Sequence, residues 1–199
     1  MQFTIKTNEL KALLICAAKK DIRYYLNGVY FESSDNGLIA VATDGHRLLA
    51  INLPNETVEG VKALIPRALI EAAIKTKAPI VEISIEGQQV TLTSAGQSTS
   101  GAISEGVFPD YRRVIPATAS GERTADFNYE YLVDFDKVAK LLCGGLARVS
   151  QNGLSAALVH FADENAIGVV MPMRKEAIEG ATYRPAWVEV KQVPLQAVA

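Results

Sequence analysis

The sequence predicts an α+β protein whose antiparallel sheets carry their helices on one face. Three observations predict it. The order strand–helix–strand–strand–strand recurs three times, at a period of about 55–60 residues. Strand candidates alternate apolar and polar residues, while helix candidates space apolar residues at a period near 3.6. Turn signals at Asp35-Asn36-Gly37, Asp44-Gly45, Glu86-Gly87, Ala95-Gly96 and Asn152-Gly153 separate strands by hairpin-length connections.

In the first unit, residues 2–6 alternate as a half-buried strand does. Thr7 or Asn8 is the expected cap of a helix with Glu9 in its first turn and Leu10, Leu13, Leu14 and Ala17 on its apolar face. Strands are expected over 26–32, 38–43 and 47–53. The second unit repeats the order. A strand over 62–65 leads to Pro66, a favoured first helical residue, and a helix over 68–75 with Leu69, Ala72 and Ala73 apolar. Pro79 stops it, and strands follow over 80–85, 89–93 and 98–104. The third unit predicts a strand over 125–130, a helix over 134–142 ended by Gly144-Gly145, and strands over 146–150, 154–161 and 167–171. Neither a half-buried sheet nor an amphipathic helix can stay wet, so the units must pack together.

Composition narrows the function. In 199 residues, 49% are hydrophobic and 21% charged, which permits a sizeable core and excludes wholesale disorder. Lys plus Arg number 20 against 22 Asp plus Glu, for a net charge of -2, so a uniformly basic nucleic-acid protein is excluded and a local basic face is not. The basic residues Lys11, Lys19, Lys20, Arg67, Lys75 and Lys77 cluster in and beside the first two helices. Such a cluster suits a phosphate backbone tracked without regard to sequence, or simply a solvated helix face. Two cysteines, Cys16 and Cys143, and two histidines, His46 and His160, make neither a disulfide scaffold nor a zinc finger. They point to the reducing cytoplasm. Residues 1–6 lack a secretory pattern, and no apolar run approaches the roughly 18 residues that span a bilayer.

Catalytic signatures are sparse. Asp44 stands two residues before His46, which admits a base with its orienting carboxylate; Asp44 equally suits a turn fixed through its backbone. There is no Gly-x-Ser-x-Gly, phosphate loop or dinucleotide fingerprint. His160 lies in an apolar strand run, where a core or edge histidine is expected. No enzyme, cofactor or metal is expected.

Four strings identify a resemblance. They are Arg23-Tyr24-Tyr25-Leu26-Asn27-Gly28, Val41-Ala42-Thr43-Asp44-Gly45-His46-Arg47-Leu48, Phe108-Pro109-Asp110-Tyr111-Arg112-Arg113-Val114-Ile115-Pro116 and Val169-Val170-Met171-Pro172-Met173-Arg174. In this order they resemble the bacterial DNA polymerase III beta subunit, the sliding clamp, over roughly residues 1–174. The resemblance implies the DNA-clamp fold, a ring of twelve such half-domains with helices lining a DNA channel. It implies that 1–116 is a complete clamp domain similar to the middle one, 117–123 a linker, 124–174 the second half of the last domain, and 175–199 an extra tail. It also implies a pocket for short peptides of polymerase, clamp-loader and repair proteins. Leu26, Thr43, Gly45, His46, Arg47 and Leu48 would form one wall, Pro109, Arg113 and Val114 the other, and Val169, Val170, Met171, Pro172, Met173 and Arg174 the floor. Arg23, Tyr24 and Tyr25 match a loop that touches duplex DNA, which they would share with the basic residues above.

The function expected is therefore a sliding-clamp-like processivity factor that contacts duplex DNA without sequence preference. The alternative is a decoy that competes for clamp partners without closing a ring. A dimer or a tetramer is expected, since the third unit lacks a mate within the chain. In the tail, residues 187–193 alternate like a strand, and Gln192-Val193-Pro194-Leu195 resembles the core of a clamp-binding peptide.

Overall fold

The computed structural model describes residues 1–118, 120–121 and 125–173. Strand β1 (Gln2–Lys6) runs directly into helix α1 (Thr7–Cys16). The helix starts without either expected cap. Glu9 Oε2 reaches back to accept from Lys6 N at 3.0 Å, while the Thr7 hydroxyl is spent on Ala78 O at 2.5 Å. A 3-10 turn (Tyr24–Leu26) precedes β2 (Gly28–Ser34), so that strand begins two residues later than expected. Leu26 N donates to Arg23 O at 2.8 Å and Asn27 N to Tyr24 O at 3.0 Å, which removes both residues from the ladder. β3 (Gly37–Thr43) and β4 (Arg47–Leu53) complete the first unit.

The second unit contains β5 (Lys62–Pro66), α2 (Arg67–Ala73), a 3-10 turn (Ile74–Thr76), β6 (Ile80–Glu86), β7 (Gln89–Ser94) and β8 (Gln97–Ala102). A 3-10 turn (Tyr111–Val114) lies in the segment that follows. The third unit has α3 (Tyr129–Leu142), β9 (Arg148–Asn152), β10 (Ser155–His160) and β11 (Ala166–Val170). Its expected leading strand over 125–130 does not form. Residues 125–128 pair with no strand among the described residues, and Asn128 Oδ1 caps α3 by accepting from Glu130 N at 3.0 Å. The third repeat is thus helix–strand–strand–strand.

The first two units are interlocked. One sheet has the order β1-β6-β7-β8, so the first unit's leading strand sits in the second unit's sheet. The other has the order β5-β2-β3-β4-β11-β10-β9, so the second unit's leading strand sits in the first unit's sheet. All pairings are antiparallel, and β4 with β11 carries the second sheet into the third unit. Helices α1 and α3 pack together, and Phe135 of α3 approaches so closely that a Cβ on Gly168 would lie 2.7 Å from its ring. The principal core, with Leu10, Leu13, Phe31, Leu49, Ile51, Ile65, Ile83 and Leu92, fills the helix side of the sheets. A smaller core covers the opposite face of the seven-stranded sheet, where Leu26, Val41, Leu48, Leu158 and Val169 meet Phe108 and Tyr111.

Candidate functional site

The turn Thr43–Arg47 builds one wall of a cleft. Asp44 Oδ1 accepts from His46 N at 2.9 Å and from Arg47 N at 3.0 Å. Thr43 Oγ1 accepts from Gly45 N at 3.0 Å and donates to Arg47 O at 2.7 Å. Asp44 is therefore a turn carboxylate. The His46 ring instead stacks on Tyr131 at 5.9 Å, with 17° between planes. Gly45 takes φ 90°, and a Cβ there would lie 2.8 Å from the Arg23 guanidinium.

The other wall hangs from a buried carboxylate. Glu32, in β2, accepts from the Tyr111 hydroxyl at 2.6 Å and pairs with Arg112. Burial first, then this hydrogen bond, push the Tyr111 phenol well above its ordinary range. Phe108 stacks on Tyr30 at 4.8 Å. Together these contacts fix the 3-10 turn of residues 111–114. The floor comes from the end of β11, and Met171 N donates to His46 O at 2.9 Å, which ties the floor to the first wall.

Between them lies a cleft of about 160 Å³, lined among others by Leu26, Thr43, Gly45, Leu48, Pro109, Val114, Val169 and Met171. Leu26, Leu48 and Val169 are buried at its base, while Val114 at 41% and Met171 at 39% exposure form a greasy rim. Arg47 also reaches the cleft, but its guanidinium is occupied. It bonds Asp44 Oδ2 at 3.1 Å and Asp134 Oδ2 at 2.5 Å and lies 4.8 Å over the Tyr131 ring. Burial works most strongly against its charge, but the Asp134 bond together with the neighbouring charges of Asp44 and Asp134 outweighs it in sum, so its pKa is raised. Asp134 is shifted up by partial burial and, more strongly in sum, down by Lys137 and Arg47; its pKa is lowered.

Other expected pocket residues fall elsewhere. Strand alternation sends Val170 into the principal core while Val169 faces the cleft. Arg113 turns outward to Asp110 at 2.9 Å, and its side chain is 84% exposed. His46 faces a neighbouring polar cleft, Pro172 and Met173 lie beyond the lining, and Arg174 lies outside the described residues. The tail beyond it, with both of its expected motifs, also lies outside them. Sequence reasoning missed Asp110 and Tyr111 in the lining and placed Tyr25 and Arg23 on DNA alone.

The residues expected at DNA differ in their local settings. α1 ends at Cys16, so Lys19 and Lys20 stand on the loop after it. With Arg23, Asp21, His46 and Lys137 they line the polar cleft beside the apolar one. Arg23 donates to Asp21 Oδ1 and Oδ2 at 3.0 and 2.7 Å and to Asp44 O at 3.1 Å. Tyr24 is exposed and meets Tyr25 edge-on at 5.8 Å. Lys11 is half-buried on α1, and Lys75 and Lys77 are exposed after α2. Arg67 has a structural role. It donates to Leu14 O at 2.8 Å and Ala17 O at 3.1 Å, capping the end of α1, and to Glu71 at 2.7 Å. Among the described residues no group of three or more His, Cys, Asp or Glu is placed to hold a metal, and no helix is long and apolar enough to cross a membrane.

Residues 4–110 match the family model of the DNA polymerase III beta subunit, central domain. The beta sliding clamp of Caulobacter vibrioides is 32% identical over 153 residues, covering 70% of this chain and 41% of that protein. That of Pseudomonas putida is 39% identical over 104 residues, 50% of this chain and 28% of that protein. The chain thus spans about four-tenths or less of these relatives' length. Among solved structures, the DNA polymerase sliding clamp from Pseudomonas aeruginosa superposes with a TM-score of 0.69 at 25% identity, over 87% of this chain and 67% of that one. Caulobacter crescentus pol III beta gives a TM-score of 0.71 at 24% identity, over 87% and 66%. With more than half its residues under the family's central-domain model, the chain belongs to the DNA polymerase III beta subunit family.

Proposed function

We propose that the chain is a clamp-like processivity factor that catalyses no reaction, contacts duplex DNA without sequence preference and holds short peptides of replication or repair partners in its apolar cleft. In this reading residues 1–116 serve as a complete clamp domain and 124–174 as half of one. The observation that carries it is the cleft. Buried Leu26, Leu48 and Val169 under a rim of Met171 and Val114 suit Leu or Phe anchors, and methionine adapts to different ones. Lys19, Lys20 and Arg23 beside it supply positive charge for phosphates. The test is fluorescence anisotropy with a labelled clamp-binding peptide from a polymerase. Met171→Glu places a charge on the apolar rim, and an affinity loss of about 10-fold or more is expected with the fold intact. A wild type that does not bind sinks the reading.

A second reading is a decoy that keeps the same apolar cleft without encircling DNA. Retention on circular DNA but release after linearisation supports the first; equal release from both supports the second.

A further inference from the structure

The first two units show how a half-domain of this fold is completed. Each gives the strand before its helix to the other's sheet, in the same register both ways. Ile5 lies opposite Val81 and Lys6 opposite Ile80; Ile65 lies opposite Val29 and Pro66 opposite Gly28. The first helical residue then closes the ladder. Thr7 N donates to Pro79 O at 2.8 Å, and Arg67 N to Asn27 O at 3.0 Å.

The third unit carries both sides of this arrangement. β9 corresponds to β2 and β6 in position after the helix, and among the described residues no strand pairs with its outer edge, where Gly121 N of the same chain donates to Gln151 O at 3.0 Å and leaves residues 148–150 to receive a strand. Residues 125–128 occupy the place of β1 and β5. Their setting matches that of β5 closely. Leu64 O accepts from Ser104 N at 2.8 Å, just past β8, and Asp126 O accepts from Met173 N at 2.8 Å, just past β11. Both acceptors stand two residues before the last residue ahead of the helix. In β5 this bond points the Leu64 carbonyl away from β2, leaving Ala63 and Ile65 to bond it. By the same alternation, Phe127 presents its backbone groups to the side away from Met173. Phe127, Leu132, Val149 and Phe161 pack on the core yet remain half-exposed.

We propose that the third unit is completed by the third unit of a second copy, residues 125–128 of each chain adding to β9 of the other about a twofold axis. A twofold is required because the same unit both donates and receives a strand. The register of the first two units places Asn128 opposite Arg148 of the second copy, Phe127 opposite Val149 and Asp126 opposite Ser150. Phe127 on Val149 then repeats the apolar pairs Ile5 on Val81 and Ile65 on Val29. Asp126 comes diagonal to Arg148, so exposed charges of opposite sign meet. Tyr129 N becomes the donor to Ala147 O. The result is a middle domain made by two chains, flanked by one complete domain from each.

This stands apart from the peptide and DNA readings, and its test needs neither. Light scattering of the full chain across a dilution series is expected to show a dimer or a multiple of it. Asp126→Cys with Ser150→Cys, in a Cys143→Ser background, puts two thiols at a non-hydrogen-bonded pair. Such pairs have Cα atoms about 4.5 Å apart, within disulfide range. Oxidation is expected to give a covalent dimer, while Asp126→Cys with Asn152→Cys, out of register, gives far less. Cys16 is buried and does not compete. Phe127→Asp is expected to yield monomers. A wild type that is monomeric throughout, including one whose own residues 174–199 cover β9, overturns the proposal. So does a dimer that the in-register pair fails to cross-link, and this reading survives any failure of Phe127→Asp to fold.

Discussion

In the first two units Val29, Phe31, Ile65, Val81 and Ile83 are sealed from solvent at 0% exposure. In the third unit the corresponding Phe127 and Val149, with Leu132 and Phe161, stay half-exposed. The two regions are built from the same kind of unit, one helix followed by three antiparallel strands. What differs is the exchange of leading strands. Where it occurs, each sheet gains an edge strand and each helix a roof. Where it does not, among the described residues the unit is held on one flank by β4 on β11, α1 on α3 and the Arg47–Asp134 pair, and on the other by single bonds from Ser120 and Gly121 to β9. Closure of this fold comes from the mate, and stability along the chain is correspondingly uneven.

Mutations can break or sharpen this contrast. The largest effect is expected from Phe31→Ala, which opens a cavity beside Phe3, 5.2 Å away ring to ring. It should cost about 3–5 kcal/mol and lower the melting temperature by about 10 °C. Phe161→Ala, on the open side, should cost about 1 kcal/mol. Equal losses in calorimetry would erase the distinction between a closed and an open unit.

Arg47→Ala removes the ion pair that joins the two regions and leaves Asp134, whose side chain is 24% exposed, with Lys137 alone. About 2 kcal/mol is expected after allowing for that exposure. Hydrogen exchange should speed in α3 and β9 to β11 while β2 and β3 stay protected. Uniform loss of protection would show that the regions unfold together. Glu32→Gln acts within the closed region. It weakens the hold on Tyr111 and Arg112, costs about 1 kcal/mol and loosens the wall at Val114. Peptide affinity by anisotropy should fall a few-fold.

The smallest effect is a pH dependence. The Asp134 carboxyl is held below the ordinary value of about 3.9. Its contribution is complete above that value and is lost as pH falls through the lowered one. Acid should therefore loosen the third unit first, seen as earlier exchange in α3, and Asp134→Asn should remove that step. Earlier loss in β2 and β3 would contradict it.

Periodicity located nearly every strand because residues 80–94 alternate and residues 38–53 form short apolar runs, all between turn signals. It misplaced the 125–130 strand because pattern states only what a segment can pair with, and no partner strand is present among the described residues. The four strings brought the cleft walls together, yet they did not say which side chains face inward. Val169 and Val170 are chemically alike, and only the pleat separates them. The burden on Arg47 and Arg67 was hidden for a related reason. Their partners, Asp134 and the carbonyls of Leu14 and Ala17, lie far off in sequence, and a free charge and an occupied one look the same in a string of letters.

The interlocking of the first two units also sets a timetable for synthesis. Ile5 has no strand to join until Val81 has been made. At about 5–20 residues per second, the first strand leaves the ribosome roughly 4–15 s before its neighbour exists. Phe3 and Ile5 spend that interval as exposed apolar residues on an unfinished chain. A fold whose first strand must wait for its seventieth-odd successor gathers in a single late event, and slowly, because its closing contacts are distant in sequence.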